Sequence, residues 1–93
     1  MTTIDNSTMT QPLSYVEGKI VDKYIKYYHK YVQQMQRLID EEQFEKCAEL
    51  YQHRLSSINT IRNLPYIDDQ EYILQLIAEI ELQVNDEYGF SPE

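Results

Sequence analysis

Lys23-Tyr-Ile-Lys-Tyr-Tyr-His-Lys-Tyr31 (KYIKYYHKY) places four tyrosines and three lysines in nine positions. Basic residues interleaved with aromatic rings are typical of platforms for single-stranded nucleic acid, where rings stack on bases and cations contact phosphates. Such a platform needs both groups to face one ligand. At about 100° per residue, however, an α-helix turns the tyrosines and the lysines in different directions. The stretch therefore predicts an amphipathic helix with its rings toward a protein core and its lysines at a solvated edge.

The tyrosine hydroxyls distinguish this predicted core from one made of leucine. A buried hydroxyl needs water or a hydrogen-bond partner, so we expect several of the rings to lie at the rim of the helix interface. A protein-binding surface made by the rings is the alternative interpretation. Nucleic acid is not an expected partner, because the chain as a whole is acidic.

The same apolar period extends outward into a first helix over residues 15–39. Ser14 and Glu17 match a capping box, in which the hydroxyl accepts an amide hydrogen bond while the carboxylate reaches back. The pattern recurs from Asp40 to Gln43 and predicts a second helix over 42–63, which ends before Pro65. Because the connection is only a few residues long, the two helices should form an antiparallel hairpin.

A third capping pattern, from Asp68 to Glu71, predicts a third helix over residues 69–87. Gly89 stands where a helix C-cap is usual. Residues 1–13 are rich in polar residues and are expected to form a disordered leader, and 89–93 a short tail. The sequence therefore predicts an all-α fold, an antiparallel helical hairpin plus a third helix, which makes a three-helix bundle of residues 14–88.

Composition limits the function classes. The 93 residues include two glycines and three prolines, which fits long helices, and the formal net charge is -8. Residues 40–93 carry thirteen acidic and three basic residues. Cys47 is the one cysteine, so no internal disulfide is possible, which fits a reducing compartment. With no apolar run suited to a signal peptide or a membrane span, we expect a cytoplasmic protein that does not contact a membrane.

Residues with catalytic or metal-binding chemistry are scattered. His29 and His53 have no ligand at a metal-site spacing and are expected to be solvated, and Cys47 is expected to be a small core residue. The sequence contains no glycine-rich phosphate loop and no nucleophile motif. We therefore predict a binding protein and not an enzyme, with no cofactor and no metal.

The third helix carries two apolar stripes. The main stripe comprises Ile73, Leu76, Ile77, Ile80 and Val84. The second lies roughly 90° or more around the axis, so it is either buried on the far side of the helix or available to another chain. The candidate partner-binding residues are those of this second stripe, Leu74, Ala78 and Leu82, with Ile77 and Tyr72 at its margin. The acidic residues Glu71, Glu79 and Glu81 are expected to form its rim, which favours a basic partner.

Part of the chain resembles a known family of small helical proteins. Three segments carry the resemblance: Phe44-Glu45, Arg54 with Leu55 and Ile58, and Leu64-Pro65 followed by a third helix. They look like the pattern of the FliT-type flagellar type III export chaperones. The resemblance covers about residues 20–88. It implies a small helical chaperone that binds a late flagellar subunit before export.

A shorter segment, DEEQFEKCAELYQHRLSSI (residues 40–58), is similar to the helical hairpin at the ends of the excision-repair proteins UvrB and UvrC. The similarity is strongest at Phe44-Glu45, Cys47-Ala48 and Leu50, and it implies a protein-protein contact module.

Three hypotheses follow. The first is a cytosolic export or assembly chaperone that holds a partner's amphipathic helix by helix-in-groove recognition. The second is a small acidic regulatory inhibitor, of phage or host, that binds a bacterial enzyme or transcription factor. The third is a structural homo-oligomer, most simply a homodimer through the second stripe.

Overall fold

The structure is a computed structural model and describes residues 13–65, 67 and 69–91. These residues form α1 (Tyr15–Asp40), α2 (Phe44–Arg62) and α3 (Gln70–Tyr88), with no strand among them. The predicted all-α fold is confirmed, and the predicted helix bounds agree to within two residues. Most of the predicted leader, residues 1–12, lies outside the described residues, as do 92 and 93 of the predicted tail.

The start of α1 is a capping box, as predicted. The amide of Glu17 donates to Ser14 Oγ at 3.1 Å, and the amide of Ser14 donates to Glu17 Oε1 at 3.1 Å. The two residues thus satisfy two of the amides that the first turn of a helix leaves without partners. Leu13, just before the cap, packs against the core.

The turn between α1 and α2 is a Schellman motif, so the predicted side-chain cap from Asp40 to Gln43 is wrong. Gln43 precedes α2 without a side-chain cap. Its amide instead donates to the carbonyl of Leu38 at 2.9 Å, and the amide of Glu42 donates to that of Ile39 at 3.0 Å. Glu42 has a φ of 59°. This left-handed conformation costs a residue with a Cβ about 1–2 kcal/mol.

The second Schellman motif ends α3. Gly89 has a φ of 61°, and the amide of Phe90 donates to the carbonyl of Asn85 at 2.8 Å. Gly89 is therefore the C-cap that the sequence predicts, and Phe90 packs against the core. At the other end the cap is Asp69, which accepts from the amide of Tyr72 at 3.0 Å. Asp68, where the predicted capping pattern begins, lies outside the described residues.

The core lies between α1 and α3, which run parallel. Tyr24 contacts Glu81, and four residues further along both helices Tyr28 contacts Asn85. The fully buried side chains are Val32 of α1 and Ile73 of α3, each of which contributes about 1.5–3 kcal/mol by leaving water. The buried residues around them are Tyr24, Tyr28, Tyr31, Met35, Ile67, Ile77 and Val84.

α2 runs back along this pair and supplies no buried residue, although the structure describes all of it. Its inner face is half-buried against the core through Cys47, Leu50, Ile58 and Ile61. An adjacent stripe, at spacings of three and four residues, is exposed and comprises Phe44, Ala48, Tyr51 and Leu55. α2 is therefore the helix most weakly anchored by apolar burial.

The opening stretch behaves largely as predicted. Tyr24, Tyr28 and Tyr31 face the core, whereas Lys23, Lys26 and Lys30 are exposed. The expectation that several rings lie at the rim is wrong for these tyrosines, whose residues are 2–4% exposed. Tyr27 is half-buried. None of the described helices combines the length and the apolar character needed to cross a membrane.

Candidate protein-binding groove

A groove of about 470 Å³ opens between α2 and α3 above the tyrosines of α1. We call it the α2–α3 groove. Its base is formed by α1, and its two sides by the facing surfaces of the other helices. The lining residues are Tyr28 and Tyr31 of α1, Tyr51 and Arg54 of α2, and Ala78, Glu81, Leu82 and Asn85 of α3.

An ion pair bridges the two sides of the groove. Arg54 Nε donates to Glu81 Oε2 at 2.8 Å, and Arg54 Nη2 donates to Glu81 Oε1 at 2.6 Å. The same carboxylate accepts from the hydroxyl of Tyr24, so Glu81 joins all three helices. The hydrogen bonds to Glu81 raise the pKa of Arg54, and the two side chains are only 19% and 12% exposed. Arg54 also lies over the exposed ring of Tyr51, 5.6 Å from its centroid.

The two tyrosines at the base differ in their hydrogen bonding. Tyr28 donates to Asn85 Oδ1 at 2.8 Å. Tyr31 is 4% exposed, and its hydroxyl makes no hydrogen bond to any residue that the structure describes. Burial raises the pKa of Tyr31 to about 12. Its ring packs on Tyr28 and Tyr27, with centroid distances of 5.2 and 6.2 Å.

The predicted second stripe of α3 partly forms one side of the groove. Ala78 and Leu82 line the groove and are exposed, Leu82 by 69%, whereas Leu74 is half-buried and is not among the lining residues. The two marginal residues differ from this pattern. Ile77 is 2% exposed and belongs to the core, Tyr72 is half-buried, and neither is among the residues that line the groove.

Sequence reasoning missed the opposite side of the groove. Tyr51 and Leu55 are 45% and 38% exposed, and Phe44 at the start of α2 is 62% exposed. The apolar residues of this helix all recur at spacings of three and four, so the period alone does not separate these exposed residues from the inward ones. The available signal is the spacing of Phe44, Ala48, Tyr51 and Leu55, which forms a narrow row of its own beside Cys47 and Ile58.

The rim of the groove is acidic on the α3 side. α3 carries five acidic residues and no basic residue. Helical geometry places exposed Glu79 and Asp86 beside Leu82 on its outward flank, with Glu71 further along. Glu81 is not part of this rim, because its carboxylate is occupied by Arg54 and Tyr24. An incoming apolar surface flanked by basic residues would therefore meet complementary charge.

Another depression, of about 570 Å³, lies between α1 and α2 near the turn. Charges of both signs line it, including Arg37, Glu41, Lys46 and Glu49. Unlike Arg54 and Glu81, these four side chains form no ion pair with any residue that the structure describes, so an apolar ligand would have to displace water from unpaired charges. Within the described part of the chain, no group of three or more His, Cys, Asp or Glu side chains is placed to hold a metal ion.

Each of the two histidines lies next to the hydroxyl of a tyrosine. His29 Nδ1 lies 3.0 Å from the hydroxyl of Tyr88, and the two rings meet edge to face. His29 is thus half-buried and not simply solvated as expected. His53 is exposed, with Nδ1 3.3 Å from the hydroxyl of Tyr27. Cys47 is half-buried against the core, close to its predicted place.

Compared with protein-family models, with curated proteins and with solved structures, the chain shows no significant match.

Proposed function

We propose that this protein is a protein-binding helical module whose α2–α3 groove holds an amphipathic helix of a partner protein. The observation that carries the proposal is Leu82, a large apolar side chain left 69% exposed beside a groove that also presents Tyr51. Exposed apolar side chains that converge on one concave surface are typical of recognition sites. The proposed activity is binding and not catalysis.

The partner is expected to be an amphipathic helix with basic flanks. An apolar stripe on such a helix would pack against Leu82, Ala78 and Tyr51, in the helix-in-groove mode of peptide recognition. The acidic residues Glu79 and Asp86 would contact its lysines or arginines and steer association more than they add affinity. A cytoplasmic export or assembly chaperone, as the resemblance to the FliT-type family suggests, is the simplest biological role of this kind.

Site-specific photo-cross-linking in the source cells tests the proposal. A photoreactive amino acid is placed at Leu82, and in a control variant at Lys26, an exposed position on α1 that lines neither the groove nor the depression near the turn. We expect Leu82 to cross-link to an apolar stripe within a helix of one predominant partner, mapped by peptide mass spectrometry. Equal products from both positions, or none from Leu82, would rule out the groove.

The identity of the cross-linked partner separates the biological roles. A subunit destined for export supports the chaperone, whereas a polymerase or a repair enzyme supports the regulatory inhibitor. A second copy of this chain supports the homo-oligomer, which sedimentation at micromolar concentration would reveal independently.

A matched substitution separates binding from folding. Leu82→Ser should leave the free energy of unfolding within about 0.5 kcal/mol of wild type, because the side chain is mostly in water. The same variant should lose the partner. Gln83→Ser, at the neighbouring exposed position, is the control and should retain it.

A further inference from the structure

We propose that Tyr31 is a specificity-determining residue of the α2–α3 groove, which selects partner helices carrying one hydrogen-bonding side chain within an otherwise apolar stripe. The inference rests on the proposed function of the groove and specifies the chemistry of its occupant. The expected occupant is an amphipathic helix with basic flanks and a single Asn, Gln, Ser or Thr in the centre of its apolar face.

The first step of the argument is the state of the Tyr31 hydroxyl. Tyr31 lines the base of the groove and is 4% exposed, with no hydrogen bond from its hydroxyl to a described residue. Its neighbour Tyr28 lines the same groove but donates to Asn85. Buried hydroxyls in proteins are nearly always paired. In the free protein, water entering the open groove can serve Tyr31.

The second step concerns what binding does to that water. A helix whose stripe is entirely apolar would expel the water and leave the Tyr31 hydroxyl buried without a partner, which is penalised. A helix with one polar side chain at that point would replace the water. The groove therefore discriminates against the fully apolar helix, in the way that an unpaired polar group in a site rejects a ligand lacking its complement.

Arg54 reinforces the preference. Its Nε and Nη2 are used by Glu81, whereas Nη1 makes no hydrogen bond to the described part of the chain. Arg54 borders the same groove as Tyr31. The Tyr31 hydroxyl and Arg54 Nη1 are thus two hydrogen-bond donors that border the floor of the groove. A carbonyl or hydroxyl oxygen of a partner side chain can accept from both. The charge of Arg54 is already balanced by Glu81, so a neutral acceptor suffices.

Peptide display provides the test. Helix-forming peptides with lysine flanks and a stripe randomised over Leu, Ala, Asn, Gln, Ser and Thr are selected against wild type and against Tyr31→Phe. We expect wild type to enrich one polar position within the stripe and Tyr31→Phe to enrich fully apolar stripes. Replacing that polar residue by Leu in a selected peptide should weaken binding to wild type about tenfold and leave binding to Tyr31→Phe unchanged or tighter.

Two control proteins complete the design. Tyr28→Phe also removes a hydroxyl from the groove, but one already paired with Asn85, so it should keep the preference for a polar residue. Tyr31→Met serves as a second variant if Tyr31→Phe folds poorly. Fully apolar stripes selected equally by wild type and Tyr31→Phe would overturn the inference while leaving the groove function intact. Peptides whose binding is unaffected by Leu82→Ser would overturn both.

Discussion

Arg54 of α2 and Glu81 of α3 form a two-point ion pair across the groove, with N–O distances of 2.8 and 2.6 Å. Glu81 also accepts from Tyr24 of α1. One carboxylate therefore links α2 to both of the other helices. α2 also contacts these helices through half-buried apolar side chains and through the exposed pair of His53 with Tyr27.

Glu81→Gln should lower the free energy of unfolding by about 2 kcal/mol. A glutamine there offers a single acceptor oxygen to three donors and leaves the partly buried charge of Arg54 unbalanced. Urea denaturation followed by circular dichroism measures the change. Glu79→Gln, at an exposed position, is the control and should stay within about 0.5 kcal/mol of wild type.

The double variant Arg54→Met with Glu81→Leu should recover part of the loss, because two apolar side chains of similar volume leave no charge unbalanced. Recovery should be incomplete, because the buried hydroxyl of Tyr24 still lacks the acceptor that Glu81 provides. If Glu81→Gln matches Glu79→Gln, the ion pair does not stabilise the fold.

Glu42→Gly should raise the free energy of unfolding by about 0.5–1 kcal/mol, since glycine adopts the left-handed conformation without the Cβ penalty. Glu42 has a φ of 59°, and Gly89 has a φ of 61° at the equivalent position of α3. Gly89→Ala is the reverse substitution, which adds a Cβ at a left-handed position, and it should lower the free energy of unfolding by about 1 kcal/mol. Because no atom lies within 4 Å of a Cβ built at Gly89, its effect is purely conformational. Equal melting temperatures for wild type and Glu42→Gly would contradict the prediction.

Stability should fall at alkaline pH. Burial raises the pKa of Tyr31 from 10.0 to about 12 and also raises the pKa values of Tyr24, Tyr27 and Tyr28. The unfolded chain therefore releases these phenolic protons before the folded one does. Their contribution is complete below the unfolded pKa and is lost as pH rises through the folded values.

Urea denaturation at increasing pH, with tyrosinate absorbance recorded in parallel, tests this sign. The free energy of unfolding should begin to fall near pH 10 and continue to fall toward pH 12. A constant free energy of unfolding across that interval would show that these rings titrate alike in the folded and unfolded states.

Amide hydrogen exchange should be faster in α2 than in α1 and α3. α2 supplies no buried residue, whereas Val32 and Ile73 of the other two helices are fully buried. Helices anchored by fewer buried apolar groups open at a lower free energy. Mass-spectrometric exchange resolved by peptide measures this, and equal protection in the centres of all three helices would contradict it.

Local sequence patterns were sufficient for α1 and α3. The capping box at Ser14, the glycine at position 89 and the helical period of the apolar residues each depend on interactions within a few residues. The same period separates Leu82 from the main stripe of α3, but it leaves open whether the second stripe is buried. The packing of the three helices leaves Leu82 exposed and Leu74 half-buried.

The orientation of α2 was not predictable in this way. Its apolar residues cover a wide arc, so the period does not say whether Cys47 and Ile58 or Tyr51 and Leu55 face the core. The packing of α1 and α3 against each other decides it. The Arg54–Glu81 pair joins residues 27 positions apart, and no local rule connects them. The acidic run at Asp40–Glu42 suggested a helix start. The turn is determined instead by the end of α1, where the amide of Gln43 donates to the carbonyl of Leu38.

Because α1 and α3 run parallel, the resistance of the protein to an applied force should depend on which points are pulled. A force that pulls the beginning of α1 away from the end of α3 acts along their shared interface in shear. The contacts of Tyr24 with Glu81, Tyr28 with Asn85 and His29 with Tyr88 would then be stretched together and not one after another. Extension from these two ends should meet high resistance, whereas peeling at the α1–α2 turn should meet little.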